Sequence, residues 1–390
     1  MYEQSFSALG VSVQLERALA ERGIERPFPI QELVLPDALA GRDVLAKSPT
    51  GSGKTLAFAL PIVAGVSRNR TQPEALVLVP TRELAGQVSD EIVPLARVNG
   101  LRVAAVFGGA PLREQAKRAH SAQILVATPG RLQDLVERRL VSLEQVAILV
   151  LDEADRMLDM GFKPQVERLL KRLPRERQTM LFSATLDGAV GELADSYTRD
   201  PSRFETAPIV DSSDDKVEHR FVSVTADGKV DKLIEELSGE RGLALVFVRT
   251  KRGADRLAIK LARHDVDALA LHGGMAQSAR QRTLRRFRAG EVDTLVATDL
   301  AARGLDLEAI THVINFDPPE EDKDYVHRVG RTGRAGRGGN GTTFVLPEQQ
   351  ADVSRLAARL GHREQFESEG MRVAAPRRVY TSRRGRGSRW

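Results

Sequence analysis

Cysteine is absent from the 390 residues, so neither a disulfide framework nor a thiolate zinc site can form. The seven histidines are scattered without metal-ligand spacing. Long apolar runs are lacking too: Leu56 to Val66 is interrupted by Pro61 and falls far short of the roughly 20 residues that cross a bilayer. The opening Met1-Tyr2-Glu3-Gln4-Ser5 has no basic segment followed by an apolar core, so no signal peptide is expected, and the expected location is cytoplasmic, away from membranes. A net charge of +5 is slight for this length and leans only weakly toward a polyanionic partner. What is present is an ordinary 42% of hydrophobic residues, enough for two cored domains, which excludes disorder throughout.

Two segments carry chemistry. Ser-Pro-Thr-Gly-Ser-Gly-Lys-Thr (Ser48 to Thr55) follows a short apolar stretch, Asp43 to Ala46, and precedes a helix-like run from Leu56. Thr50, Gly51, Ser52 and Gly53 can turn consecutive backbone N–H groups onto phosphate oxygens, and the following helix offers its positive end. Lys54 would then neutralise β and γ phosphates, and the Thr55 hydroxyl would ligate magnesium. Asp-Glu-Ala-Asp (Asp152 to Asp155) ends the apolar run Val146 to Leu151, which reads as a buried parallel strand. Open α/β sheets bind ligands at such strand ends. Asp152 would hold the metal ion through water, and Glu153 would orient and deprotonate an attacking water. Each segment alone has a plainer alternative, a strand-to-helix turn or the acidic start of a helix, and Ser48 stands where a strict phosphate loop has its first glycine. The ordered pair specifies a nucleoside triphosphatase.

Short aliphatic strands alternate with amphipathic helices throughout: Val44 to Ala46, Ala75 to Val79, Val103 to Phe107, Ile124 to Ala127, Ile148 to Leu151 and Thr179 to Phe182 in the first half, then Phe221 to Val224, Ala244 to Val248, Ala268 to Leu271, Thr294 to Ala297, His312 to Asn315 and Thr343 to Leu346. Such alternation implies two α/β domains with parallel sheets covered by helices. The polar stretch Pro208 to Asp215 reads as a linker, which places a first domain at 1–208, the linker at 209–217 and a second domain at 218–365. Residues 366–390 form a basic tail: from Pro376 onward there are six arginines and no acids. It is either a solubilising terminus or a disordered nucleic-acid tether, with Tyr380 and Trp390 available to stack on bases.

The second half also carries Ala297 to Asp306 (Ala-Thr-Asp-Leu-Ala-Ala-Arg-Gly-Leu-Asp) and His327 to Arg334 (His-Arg-Val-Gly-Arg-Thr-Gly-Arg). Arginines 328, 331 and 334, spaced by glycines, suit guanidinium contact with a γ-phosphate, although a basic surface loop has the same composition. Together with Pro80-Thr81-Arg82-Glu83-Leu84, Gly108-Gly109, Thr128-Pro129-Gly130-Arg131, Ser183-Ala184-Thr185 and Val246 to Thr250, these segments identify the chain as resembling the DEAD-box ATP-dependent RNA helicases of superfamily 2, with likeness to compact bacterial RhlE-like members, from Phe6 to about Leu360.

The resemblance implies two tandem RecA-like domains, each a mostly parallel sheet with helices on both faces, joined by a flexible linker. It implies that Gln31, closing Gly23 to Gln31, reads adenine beneath a stacking Phe6, so that ATP with Mg2+ is the cofactor. It implies that Ser183, Thr185 and His327 couple hydrolysis to strand separation, that Gly304 and Asp306 meet the nucleotide, and that Arg331 and Arg334 are arginine fingers. RNA would be held by Arg82, Gly109, Thr128 and Arg131 in the first domain and by Thr250, Gly274, Arg280 and Thr298 in the second. Those contacts address backbone phosphates and hydroxyls with little sequence preference. Gly109 and Gly274 equally suit turns, and Thr298 a strand-end cap. Ser48-Pro49, Ile24 and Phe28 depart from the commonest family pattern.

Overall fold

The structure is a computed structural model that describes residues 4–48, 52–70, 72–206, 217–239, 241–302, 309–333 and 338–374, with the side chain of residue 323 excepted. The expected linker therefore lies outside the described residues, apart from its last position. The chain divides into two compact units, the first built from described residues up to 206 and the second from 217 onward.

The first unit is a seven-stranded sheet of β1 (Val44–Lys47), β2 (Ala75–Leu78), β3 (Val103–Val106), β4 (Ile124–Ala127), β5 (Ile148–Asp152), β6 (Gln178–Ser183) and β7 (Ser202–Glu205), in the order β3-β4-β2-β5-β6-β1-β7. Every pairing is parallel. Alternation along the strands explains why helices cover both faces. Val44, Ala46, Val77, Val126 and Val150 enter one core, whereas Leu45, Leu76, Leu78, Leu125 and Leu149 enter the other. Each such buried aliphatic side chain contributes about 2 kcal/mol by leaving water, so neither face can be uncovered without large loss. β7, an edge strand absent from the sequence expectation, has only Phe204 as an apolar residue and alternates half-buried with exposed positions.

The second unit repeats the plan with six strands: β8 (Val217–Ser223), β9 (Leu243–Phe247), β10 (Ala268–Leu271), β11 (Thr294–Ala297), β12 (Ile310–Asn315) and β13 (Gly339–Val345), in the order β10-β11-β9-β12-β13-β8. Again the pairings are parallel. Neighbouring residues divide between two cores, Val222 and Phe344 on one side, Phe221 and Val345 on the other. Among the described residues, no helix is long and apolar enough to cross a membrane.

The boundary expected at 365 is corrected here. Helix Arg363–Ser368 crosses it, Phe366 is fully buried, and Met371 joins the same core. Phe366 meets Phe221 of β8 edge-on, with ring centroids 5.5 Å apart. Beside them His362 stacks on His219 at 3.8 Å, and His219 Nδ1 lies 2.8 Å from the Tyr325 hydroxyl. Residues 366–374 thus belong to the second unit, and of the expected tail residues 375–390 lie outside the described residues.

Removing the Phe366 ring leaves a cavity against β8, so Phe366→Ala is expected to cost about 3 kcal/mol. Hydrogen exchange in residues 217–223 of the intact chain checks this, and unaltered exchange there would show that the segment is a mere appendage. The same seam responds to pH. Burial, reinforced by the neighbouring His362, pushes His219 down from 6.5 to about 4. The unfolded chain then binds the proton more readily than the folded one between those values, so stability is present above pH 6.5 and is lost as pH falls toward 4. Exchange at β8 is expected to accelerate across that window more steeply than exchange in the first unit.

Candidate functional site

In the first unit the sequence-expected residues converge at the carboxyl ends of β1, β5 and β6. β1 runs into the phosphate loop, and helix Lys54–Gly65 starts immediately after Gly53, which has φ +85°. That left-handed conformation costs a side-chain-bearing residue about 1–2 kcal/mol. Space is the second constraint, because a Cβ at Gly53 would lie 2.6 Å from Gln31 Nε2 and 2.7 Å from Phe28 Cδ2. The helix start carries no acidic residue in its first turn, so its unpaired N–H groups and positive end remain to meet an anion. Lys54 is buried and donates from Nζ to the Ser48 carbonyl at 3.1 Å. The Ser48 hydroxyl contacts Ser52 Oγ at 2.5 Å and accepts from Thr206 at 3.0 Å, a network that a glycine at this place would not form. Thr50 and Gly51 lie outside the described residues; Ser52 and Thr55 flank the helix start where the sequence expects them.

Asp152 closes β5 beside Phe182 of β6 and is buried. Burial pushes its carboxyl up to about 6; the Lys54 charge pulls against this, and the neighbouring Glu153 adds to it. A buried carboxylate that one lysine only partly compensates, with the Thr55 hydroxyl as a further hard oxygen donor, has the chemistry to hold a magnesium ion, which would supply positive charge at this strand end. Among the described residues no group of three or more acidic, histidine or cysteine side chains could hold a metal alone. Glu153 has φ +51° and is buried, and its carboxylate accepts from Arg156 Nη1 at 2.5 Å. The sequence reading missed Arg156, although it sits three residues along on helix Ala154–Asp159, where an ion pair is a standard possibility.

Ser183 ties the two motifs together. Its carbonyl accepts from Ser48 N at 2.9 Å, while its hydroxyl accepts from Asp155 N at 3.2 Å and from Thr185 N at 3.4 Å. A displacement at either motif is therefore felt at the other through one fully buried residue.

Gln31 is fully buried. Its Nε2 donates to the Gly53 carbonyl at 2.8 Å and its Oε1 accepts from Phe28 N at 2.9 Å, so it is placed against the phosphate loop. Phe6 is corrected: its ring is wholly enclosed in the core with Leu9, Val11 and Leu15, and it offers no face for stacking. The aromatic ring that does stand beside the loop is Phe28, 49% exposed.

Arg82, Gly109, Thr128 and Arg131 gather at the ends of β2, β3 and β4. Gly109 has φ +88°, and a Cβ there would come within 2.2 Å of Arg82 Nη1, so the guanidinium lies directly on the glycine turn. Arg131 donates to Ala110 O at 2.9 Å and to Gln115 Oε1 at 3.3 Å, and Gln115 in turn clasps both backbone groups of Phe107. Gln115, buried and central here, belongs to no recognised segment, and a lone helical glutamine gives no sequence signal. Thr128 caps helix Pro129–Glu137 through its backbone alone, which leaves its hydroxyl out of the cap.

In the second unit Thr250, Gly274 and Thr298 follow the adjacent strands β9, β10 and β11. The Thr250 hydroxyl caps helix Lys251–Ala262 by accepting from Gly253 N at 2.9 Å. Gly274 N donates to His272 Nδ1 at 3.1 Å, and His272 is held by Asp255 at 2.9 Å. Thr298 does act as a strand-end cap, since its carbonyl accepts from Ala301 and Ala302. Arg280 is buried on helix Gln277–Arg288. Arg328 is corrected from the candidate arginine set: it forks onto both Asp299 oxygens at 2.5 and 2.7 Å and donates to Asn315 and the Asp317 carbonyl, which consumes it inside the unit. Arg331 is buried just beyond helix Asp322–Val329, which carries His327. Arg334, Gly304 and Asp306 lie outside the described residues.

Known proteins share this arrangement. The family described as DEAD/DEAH box helicase matches residues 28–193, and the helicase conserved C-terminal domain matches 228–336. The chain is 41% identical to the ATP-dependent RNA helicase CshA of Listeria monocytogenes over 88% of its own length and 66% of that protein, and 44% identical to the rice DEAD-box ATP-dependent RNA helicase 52A over 87% and 61%. It thus spans about two thirds or less of those two relatives. To CshA of Geobacillus kaustophilus it is 40% identical over 88% of its own length and 74% of that protein. Among solved structures, yeast Dbp5 bound to RNA and ADP BeF3 aligns with a TM-score of 0.82 and 31% identity, covering 93% of this chain and 94% of that one. The two helix-covered parallel sheets are therefore RecA-like units in tandem, and the chain belongs to the DEAD-box ATP-dependent RNA helicase family.

Proposed function

We propose that this chain is an RNA-dependent ATPase that uses ATP to unwind short RNA duplexes locally or to remodel RNA–protein complexes. The observation that carries the proposal is the convergence of Lys54, Asp152, Glu153 and Ser183 at the carboxyl ends of three adjacent strands. The relatives support it, yeast Dbp5 in complex with RNA and ADP BeF3 above all.

Lys54 and the helix start bind the phosphates, while Asp152 and Thr55 would hold magnesium, which supplies charge neutralisation at the phosphates. Glu153 takes the proton of the attacking water. Arg156 Nη1 engages one Glu153 oxygen, which orients the carboxylate and leaves the other oxygen out of that ion pair. ATP and RNA together draw both units into one closed state, with Gly304, Asp306, Arg331 and Arg334 completing the nucleotide site, and Ser183, Thr185 and His327 transmitting hydrolysis to the RNA. By linkage the two ligands then strengthen each other's binding. RNA lies along Arg82, Gly109, Thr128 and Arg131 and along Thr250, Gly274, Arg280 and Thr298, read through its sugar-phosphate backbone. The cellular setting is the cytoplasm, with ribosome-assembly or RNA-decay assemblies as partners.

Steady-state ATP hydrolysis without nucleic acid, with single-stranded RNA and with DNA of the same sequence tests this. RNA alone is expected to stimulate, and Glu153→Gln to lower turnover by about 10²-fold or more. Equal stimulation by DNA would overturn the RNA assignment, and an unaltered Glu153→Gln rate the catalytic one. Gly53→Ala is expected to lose ATP binding and about 1–2 kcal/mol of first-unit stability, because it meets both the left-handed backbone and the Gln31 amide. Equilibrium titration with a fluorescent ATP analogue and thermal unfolding report the two effects separately.

A further inference from the structure

A second cleft, of about 770 Å³, opens in the first unit at the opposite end of the sheet from the phosphate loop. Residues 41–43 lead into β1 and Arg177 leads into β6, so the four residues of β1 put roughly 13 Å between this cleft and the loop. Its size is that of a small-ligand site.

The walls are rigid. Gln178 Nε2 donates to the Ala38 and Arg42 carbonyls at 2.8 Å each. Asp43 accepts from Thr179 N and from Arg199 N, both at 2.7 Å, so its two oxygens are engaged by backbone donors. Two donors on the cleft wall are left over. The Thr179 hydroxyl is buried with Thr179 only 1% exposed, and Arg177 Nε is buried as well; neither has a hydrogen-bond partner among the described residues. Arg177 spends its other nitrogens on the Pro174 and Tyr197 carbonyls and makes no ion pair among the described residues, although the Asp43 carboxylate attracts it from beyond contact distance. A buried donor without an acceptor costs about 1–3 kcal/mol; both atoms are closed to solvent, so a ligand oxygen gains that energy once the wall yields slightly to admit it.

The rim adds charge. Lys171 and Arg175 are exposed with no ion pair among the described residues, and Arg42 and Arg199 make only long surface pairs, at 3.6 and 3.7 Å. Against these cations the cleft sets Asp200 and the already engaged Asp43. Leu170, Leu173 and Tyr197 give one side an apolar lining that a lone inorganic anion would not use but a nucleoside would.

We propose that this cleft is a second anion site, which takes a phosphate-bearing ligand, an RNA phosphodiester segment or a nucleoside phosphate, with Arg177 and Thr179 at its floor and Lys171 and Arg175 at its mouth. The site is independent of the nucleotide loop and works whether or not ATP is bound. For RNA it adds a contact on the far end of the sheet from the catalytic residues.

The test is local to the cleft. In the intact chain, the rate of Lys171 acylation is followed by mass spectrometry against increasing short single-stranded RNA, and separately against adenosine monophosphate, without ATP. Protection of Lys171 is expected. Protection by RNA only assigns a phosphodiester, and protection by the monophosphate as well assigns a nucleoside phosphate; either supports the site. Arg175→Glu and Thr179→Val are each expected to raise the ligand concentration for half-protection about tenfold, while ATP hydrolysis without RNA stays at the wild-type rate as a check on folding. No protection by either ligand overturns the proposal. So does protection that both variants leave untouched, since Thr179→Val would then only have removed an unsatisfied hydroxyl. Neither failure bears on the RNA-dependent ATPase, whose residues lie at the other strand ends.

Discussion

A parallel sheet buried on both faces leaves polar chemistry only its strand ends. In the first unit adjacent residues of β1, β2, β4 and β5 go to opposite cores, so the middles of these strands offer no side chain to a ligand. What remains are the strand ends and the turns beside them, and at the carboxyl ends the N–H groups of the next helix are also unpaired. Lys54, Asp152, Ser183, Arg82, Gly109 and Thr128 all occupy such positions, and the second unit places Thr250, Gly274 and Thr298 in the same way.

Close packing at those ends turns separate motifs into one device. Ser183 receives an amide from the acidic motif and offers its carbonyl to the phosphate loop, so the two cannot shift independently. Gln31 spans Phe28 and Gly53 in the same manner. Charges are handled by pairing: Glu153 with Arg156 is a buried ion pair, and removing one partner of such a pair is far more costly than the pair is worth, while buried Arg328 is paired with the half-buried Asp299. Asp152 is the exception, a buried carboxyl only partly offset by Lys54, and that residual imbalance is what a bound cation would relieve.

Most of this was legible in the sequence because strand ends carry short, spaced signatures and strands carry aliphatic runs. Twelve of the thirteen strands appear there as apolar stretches, with ends differing by a few residues; β7 does not, since an edge strand needs only one buried residue. Residues acting through tertiary pairing left weaker traces. Gln115 touches Phe107 and Arg131 only because β3 and helix Pro129–Glu137 converge, and no local pattern encodes that. Arg328 looked like a phosphate ligand in its glycine-spaced arginine run, yet Asp299, 29 residues away, claims it. Phe366 lay in a stretch read as tail because one aromatic among charged residues is no periodic pattern, although Phe221 completes its burial.

Phe6 and Phe28 show why identity of residue type is insufficient at the nucleotide end. Both are aromatic, but Phe6 is spent on the core beneath the loop while Phe28 stands half-exposed against Gly53. A small hydroxyl residue at position 28 could cap helix Pro29–Leu39 with its side chain; phenylalanine cannot, so of the two bonds of a capping box only the one from the backbone N–H of residue 28 to Gln31 Oε1 is made. Phe28 therefore changes the site by adding an apolar face beside the phosphate loop, whereas its bond to Gln31 runs through the backbone and does not depend on the ring. Gln31 is engaged at both ends of its amide, by Phe28 N and by the Gly53 carbonyl, so its placement against the loop is fixed by backbone groups that any residue type would supply.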